Sequence, residues 1–397
     1  MFLSCLLFCM LFDHSSAQVL SVKSLPGGHT FVGVGSQLHV YDTNTRIAST
    51  QNLSKVSAPI IGIGLSTKGN MALITIQEST QLFLAVLQQN NTIDVIKLAE
   101  PIGNFLSFGR VENAFVASSG SEIFMIVANS NTTGSIVAYE VGDVVGVKSM
   151  LGLPSQRVND IRPHCSEYMI KYSICTSDDY KTWLVSAQNG LLNVNWDGNA
   201  LSTDGTVIKT GPGNDGLDVV DHFYVPVKPY TYAKAYIAAQ GHGLRIINLR
   251  FNTVVGSHFI DGWAGGVRAI HSTKYIDIAY VAADPGLLAF DVSVDRSPEL
   301  IWTCTLSGNN GLGWNLDVTE NSKTSTNTIH LADNLGGMYT MVHRMDKYQM
   351  LPTVVGHAGP GAIQQCQNKT NNVSKRTICR HSNRFNIIIQ DIYLLSF

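Results

Sequence analysis

The residue types able to do chemistry in this 397-residue chain gather in a few loop-like stretches and not in any catalytic motif. Arg157, Asn159 and Asp160 form one group, and Asp215 and Asp218 a second. Asp261, Trp263 and Arg268 make a third; Asn310, Trp314 and Asn315 make a fourth. Carboxylates and amides converging from several such stretches offer the all-oxygen ligand set that a hard cation such as Ca2+ requires. A divalent ion held in that way polarises an ester carbonyl and supplies metal-bound water as a nucleophile. Asp, Asn and Gly are also what tight turns use for conformational reasons alone. The pairs Gly262-Trp263 and Gly313-Trp314 point elsewhere. A tryptophan exposed beside an arginine anchors a protein or carbohydrate ligand, whereas one wedged between repeats is packing.

Other chemistries find less support. Gly33-Val-Gly-Ser36 and Ser119-Gly-Ser121 read as hairpin turns, where small residues supply positive φ, and no nucleophile elbow stands in a plausible context. His39, His330 and His343 lie inside strand-like runs, where packing or solvation is the expected fate of each ring. Cysteine and histidine spacings lack the CxxC and HxxxH patterns of a zinc site. Charged residues are 14% of the chain and the net charge is −2, which argues against a nucleic-acid surface or a polybasic membrane patch.

Scattered polar groups act together only if something holds them side by side. Ala235-Tyr-Ile-Ala-Ala-Gln-Gly-His-Gly-Leu-Arg-Ile-Ile-Asn-Leu249 recurs 44 residues later as Ala279-Tyr-Val-Ala-Ala-Asp-Pro-Gly-Leu-Leu-Ala-Phe-Asp-Val292. Each copy is an apolar run, a Gly-bearing turn and a second apolar run, which predicts an antiparallel hairpin. Related pairs are Phe31–Gly35 with Gln37–Asp42, Met71–Ile76 with Gln81–Leu87, Ile123–Ala128 with Ser135–Val141, Trp183–Trp196 and Ile329–Val342. Seven hairpins at intervals of about 40–60 residues match the repeat of a propeller blade. The intervening stretches leave room for two more strands per unit. No segment sustains apolar spacing at i, i+3, i+4 and i+7, so the predicted fold is all-β, a β-propeller of seven four-stranded blades over residues 18–359.

Val19–Leu25 precedes the first hairpin and Gln349–Gly356 follows the last. The expectation is that the latter becomes the innermost strand of the first blade, so that N- and C-terminal strands pair and close the ring. The polar groups then occupy turns between the two inner strands of their blades and surround one mouth of the central tunnel.

Met1–Phe12 is almost wholly apolar and Ser15-Ser16-Ala17 follows, which predicts a signal peptide over residues 1–17 and a secreted chain. No later stretch approaches the ~20 apolar residues of a membrane span. Asn52, Asn90, Asn131, Asn368 and Asn372 open N-glycosylation sequons, mostly within polar clusters. Of seven cysteines, Cys5 and Cys9 lie in the leader. Local spacing pairs Cys165 with Cys175 and Cys366 with Cys379, leaving Cys304 as a buried thiol. Residues 360–397 are expected to form a separate C-terminal extension.

The units Gly-Leu-Arg-Ile-Ile-Asn-Leu, Gly-Trp-Ala-Gly-Gly-Val and Ile-Ala-Tyr-Val-Ala resemble the LVIVD-type repeats of extracellular propellers, most clearly over residues 235–342. That resemblance implies a fold and a surface or secreted location, and carries no catalytic motif. The resulting expectation is a secreted, glycosylated, monomeric binding or scaffold module without a cofactor. Its ligand, an extracellular protein or glycan, would contact Arg157, Asp160, Asp218, Trp263, Arg268, Trp314 and Asn315. The alternative is a lactonase-like hydrolase with a divalent cation, Ca2+ for example, in the tunnel.

Overall fold

The computed structural model describes residues 19–24, 29–42, 48–52, 58–90, 92–98, 107–130, 133–153, 157–164, 182–211, 221–226, 233–271, 275–284, 286–306, 313–321, 323–333, 337–358 and 363–368. Blade 1 holds β1 (Val19–Ser24), β2 (His29–Val34), β3 (Gln37–Asp42) and β4 (Ala48–Asn52). Blade 2 holds β5 (Ile60–Leu65), β6 (Met71–Ile76), β7 (Leu82–Leu87) and β8 (Ile93–Lys97). In blade 3, β9 (Ser107–Val111) and β10 (Phe115–Val116) share the inner edge of β11 (Glu122–Asn129), followed by β12 (Gly134–Val141) and β13 (Gly146–Leu153). Blade 4 has β14 (Val158–His164), β15 (Thr182–Ala187) and β16 (Gly190–Trp196), with its outer edge divided between β17 (Leu201–Ser202) and β18 (Val207–Ile208).

Blade 5 holds β19 (Asp221–Pro226), β20 (Ala233–Ala238), β21 (Leu244–Asn248) and β22 (Thr253–His258). Blade 6 holds β23 (Ala264–Ile270), β24 (Ile278–Ala283), β25 (Gly286–Asp291) and β26 (Glu299–Leu306). Blade 7 has β27 (Gly313–Asn321), β28 (Thr326–Asp333), β29 (Gly337–Arg344) and β30 (Thr353–Ala358). A last strand, β31 (Ile363–Asn368), turns back and pairs with β26 as a fifth strand of blade 6. Each of the seven predicted hairpins forms the second and third strands of one blade.

Each sheet has two apolar faces, so its inner strands read as near-continuous apolar runs; β24 is buried along its whole length. Those faces meet in seven apolar clusters, one for each interface between neighbouring blades. The cluster between blades 7 and 1 is the smallest, with four buried residues: Val22, Val32, Ala332 and Met338.

Closure differs from the expected strand exchange. β1 is itself the innermost strand of blade 1, and β30, which holds Thr353–Gly356, is the outer strand of blade 7. The missing strand of blade 1 is β4, whose sequence Ala-Ser-Thr-Gln-Asn is too polar to read as a strand. The ring closes through side-by-side packing and side-chain bonds. Ser24 donates from its backbone N–H (2.8 Å) and its hydroxyl (2.9 Å) to Asp317 Oδ2. Thr30 Oγ1 lies 3.4 Å from His330 Nε2.

The predicted cysteine pairing is corrected as well. Cys304 forms a disulfide with Cys366, because β31 runs antiparallel to β26 and sets these two residues directly opposite each other. Cys366 therefore does not pair with Cys379, Cys304 is not a free thiol, and the extension begins as part of blade 6. Cys165, Cys175, Cys379, Asn131, Asn372 and residues 1–18 lie outside the described residues. Asn90 is exposed in the β7–β8 turn, and Asn368 is exposed at the end of β31.

Candidate ligand site at the mouth of the tunnel

The site is built on a backbone irregularity shared by the innermost strands. In six blades the pairing of the innermost strand with its neighbour slips by one residue near its start. A bulge of this kind re-aims the residues that follow it. At or just after the slip come Ser21, Gly62, Arg110, Asp160, Gly266 and Asn315; two positions on come Lys23, Gly64, Glu112, Arg162, Arg268 and Asp317. The result is two stacked levels of mostly polar residues around the axis.

These groups bond across the tunnel, well beyond neighbouring blades. Lys23 of blade 1 reaches past blade 2 to Glu112 of blade 3, with Nζ 3.3 Å from Oε2. Blade 2 presents only Gly62 and Gly64 at these levels, and a side chain on Gly64 would meet the Glu112 carbonyl. Glu112 also accepts a 2.8 Å bond from Arg162 Nη1, and Arg162 Nε donates to Asp160 Oδ2 at 3.0 Å. Asp160 lies 3.6 Å from Arg110, whose Nη2 crosses to the Gly265 carbonyl of blade 6 at 3.2 Å. Arg268 Nε donates to Asp317 Oδ1 at 3.3 Å.

Burial shifts these groups and their neighbours decide the direction. Burial alone would raise Glu112, but Lys23 and Arg162 outweigh it and hold the carboxyl below its ordinary range. Asp317 is held down in the same way by Arg268, Lys23 and the two bonds from Ser24. Lys23 is pushed down, first by burial and next by the charge of Arg162. Glu112 and Asp317 are thus ionised, and Glu112, Asp160 and Asp317 are each already engaged by a cation. Among the described residues no three His, Cys, Asp or Glu side chains converge as a metal site would need.

The mouth is aromatic. Trp263 precedes β23 and Trp314 is the second residue of β27; their rings stack with centroids 4.7 Å apart and planes 26° apart. Both are half-buried. Gly265 lies beneath them: a methyl group there would run into the Trp263 ring and sit 2.8 Å from the Trp314 carbonyl. The tryptophans therefore both join blades 6 and 7 and leave part of their surface at the rim.

Of the predicted site residues, the structure places Asp160, Arg268 and Asn315 buried on the tunnel wall and Trp263 with Trp314 at its mouth. Asp160 and Asn315 stand near the starts of innermost strands, Arg268 lies further along β23, and the tryptophans flank or open theirs; none lies, as expected, in a turn between inner strands. Arg157 is exposed ahead of β14, outside the tunnel network, and Asp218 lies outside the described residues. Lys23, Arg110, Glu112, Arg162 and Asp317 were missed. An alignment of the innermost strands would have revealed them, since Ser21-x-Lys23, Arg110-x-Glu112, Asp160-x-Arg162 and Asn315-x-Asp317 share one polar spacing.

Comparison with known proteins adds the architecture. No family model matches the chain, and no curated protein matches it. Among solved structures it is similar to a functionally unknown protein from Desulfotomaculum acetoxidans DSM 771, with a TM-score of 0.55, 13% identity, and 83% of this chain and 95% of that one covered. It is also similar to Saccharomyces cerevisiae Sqt1, with a TM-score of 0.54, 11% identity and coverage of 81% and 95%. The dihydro-heme d1 dehydrogenase NirN in complex with DHE gives 0.52, 12% identity and coverage of 89% and 70%. At these identities the likeness is one of fold. The chain is a seven-bladed β-propeller.

Proposed function

We propose that the protein is a secreted, glycosylated propeller that binds an extracellular protein or glycan at the Trp263–Trp314 mouth and catalyses no reaction. The observation that carries this reading is the stacked, half-buried tryptophan pair above a tunnel crossed by fixed ion pairs. Large, rigid aromatic surface beside buried polar groups is what binding hot spots are made of. The carboxylates that a lactonase-like cation would need are held by Lys23, Arg162, Arg110 and Arg268 and would have to give those partners up. Kinship with LVIVD-type repeat proteins belongs to the same reading and rests on the repeat pattern. Array screening against glycans and peptides, with wild type beside Trp314→Ala, tests it. Loss of at least about tenfold in binding for the variant is expected, as for a hot spot worth about 1.4 kcal/mol or more. Binding indifferent to Trp314, or calcium-dependent esterase turnover by the purified protein, overturns the assignment. Secretion is checked by sequencing exported material, which should begin at Gln18.

A further inference from the structure

We propose that the outer edge of blade 3 is a self-association site, where residues 149–153 of β13 pair antiparallel with the same stretch of a second copy. The protein is then a two-fold dimer and not the monomer expected from its sequence. Every blade ends in an outer strand, and an unpaired strand edge invites another chain unless something blunts it. Six edges are polar, charged, broken, covered or shorter. β4 is polar throughout, and β8 carries Asp94 and Lys97. The edge of blade 4 is divided into the two-residue pieces β17 and β18, and β26 is covered by β31. β22 and β30 have six residues each. β13 has eight, and among the described residues no further strand pairs with it. It exposes Val147 and Met150, and Val144 and Val145 stand exposed in the turn before it.

Blade 6 shows how such an edge is filled. Ile301 slips out of register in β26, and β31 pairs with residues 302–306 just beyond it. In β13 the same irregularity falls at Lys148, which leaves residues 149–153 as the equivalent stretch. Its sequence, Ser-Met-Leu-Gly-Leu, carries no charge. A charged partner strand would find no counter-charge either, because the Lys148 ammonium already holds Glu140 of its own sheet at 3.1 Å. A second copy supplies an uncharged strand of matching length. Pairing about Leu151 places the two lysines at opposite ends of the joined stretch, so like charges never face each other. Gly152 is an independent sign. Its φ lies outside the left-handed region, and a side chain there would meet nothing within 4 Å in its own copy. Glycine inside a strand marks close approach from outside when the chain itself does not require it. In the two-fold pairing Met150 lies opposite Gly152 in both halves and covers it. The edge is also held ready, since Ser149 Oγ accepts the Leu201 N–H of blade 4 at 3.0 Å.

Sedimentation velocity of the full-length protein from about 1 µM to about 1 mM tests the proposal. A contact of one strand per copy belongs to the small, weak class of interfaces below about 1,200 Å2, so a reversible dimer that grows with concentration is expected. Met150→Lys/Gly152→Lys sets like charges opposite one another twice and should weaken association by at least about tenfold. Met150→Lys/Gly152→Glu brings in as many charges, but opposite signs then face each other and the dimer should persist. Both positions are exposed, so both variants should keep the circular dichroism of the wild type. Amide exchange needs no variant: in the wild type it should slow over residues 149–153 as concentration rises. A chain that stays monomeric across the range, a dimer without that slowing, or two folded variants that associate alike overturns the proposal.

Discussion

At the scale of single residues, the tunnel is a place where removing one partner costs more than the pair contributes. Glu112 lies between Lys23 and Arg162, and all three are buried. Glu112→Ala would leave two cations facing each other without water. The expected loss is about 3–5 kcal/mol, read from the urea midpoint, while Glu112→Gln should cost less because it keeps an acceptor. His330 makes a second prediction. Burial pushes its imidazole down to about 4, although Asp317 nearby pulls the other way. An exposed histidine titrates near ~6.5, so between these values only the unfolded chain takes up the proton. Stability should therefore decline as pH falls from about 6.5 to about 4, by about 3 kcal/mol, and change little from this cause below that. His330→Gln should flatten that slope in unfolding curves at pH 7 and pH 4.5. Glu112 and Asp317, held below the carboxylate range, add their own loss only at lower pH.

At the scale of elements, the strand starts decide the site. The bulge in six of the innermost strands is a backbone event with no residue signature of its own: the skipped residue is Leu20 in one blade, Asn159 in another and Trp314 in a third. The hairpins were legible because apolar alternation and Gly-bearing turns are local, and all seven are where the pattern put them. The tunnel partners were not, since Lys23 and Glu112 are 89 residues apart and meet only because blade 2 offers glycine between them. Asp160, Arg268 and Asn315 were expected in turns, whereas they lie within strands and are buried on the tunnel wall. The Gly-Trp turns were read as either a ligand contact or packing between blades, and the two rings stack between blades 6 and 7 while remaining half-buried. Gly265→Ala tests this directly. The added methyl collides with Trp263, so a loss of about 1–3 kcal/mol is expected, with a changed near-ultraviolet dichroism from the displaced rings.

At the scale of the whole molecule, the ring is sealed unevenly. Six interfaces rest on larger apolar clusters, while the one between blades 7 and 1 has four buried apolar residues, the Ser24–Asp317 bonds and the His330 contact. Among the described residues no strand is shared across that seam, so its strength depends on groups sensitive to pH and mutation. Blade 7 is secured from the other side. The Cys304–Cys366 bridge spans 62 residues and encloses the whole blade in one covalent loop. Loop-closure entropy gives such a bridge about 4 kcal/mol, so Cys304→Ser/Cys366→Ser should lower the unfolding midpoint and leave far-ultraviolet dichroism unchanged at low temperature. This return path escaped the sequence because six residues, Ile-Gln-Gln-Cys-Gln-Asn, carry no propeller pattern and pair with a strand a full blade earlier.

That return path also sets an order in time. A ribosome adding roughly 5–20 residues per second must complete blade 7 before β31 exists, so the outer edge of β26 waits seconds for its cover. During that interval the exposed backbone of β26 is open to any other extended segment, including the same strand of a neighbouring nascent chain. Yield in the cell should therefore respond to translation speed downstream of Leu306 more than to the stability of the finished ring.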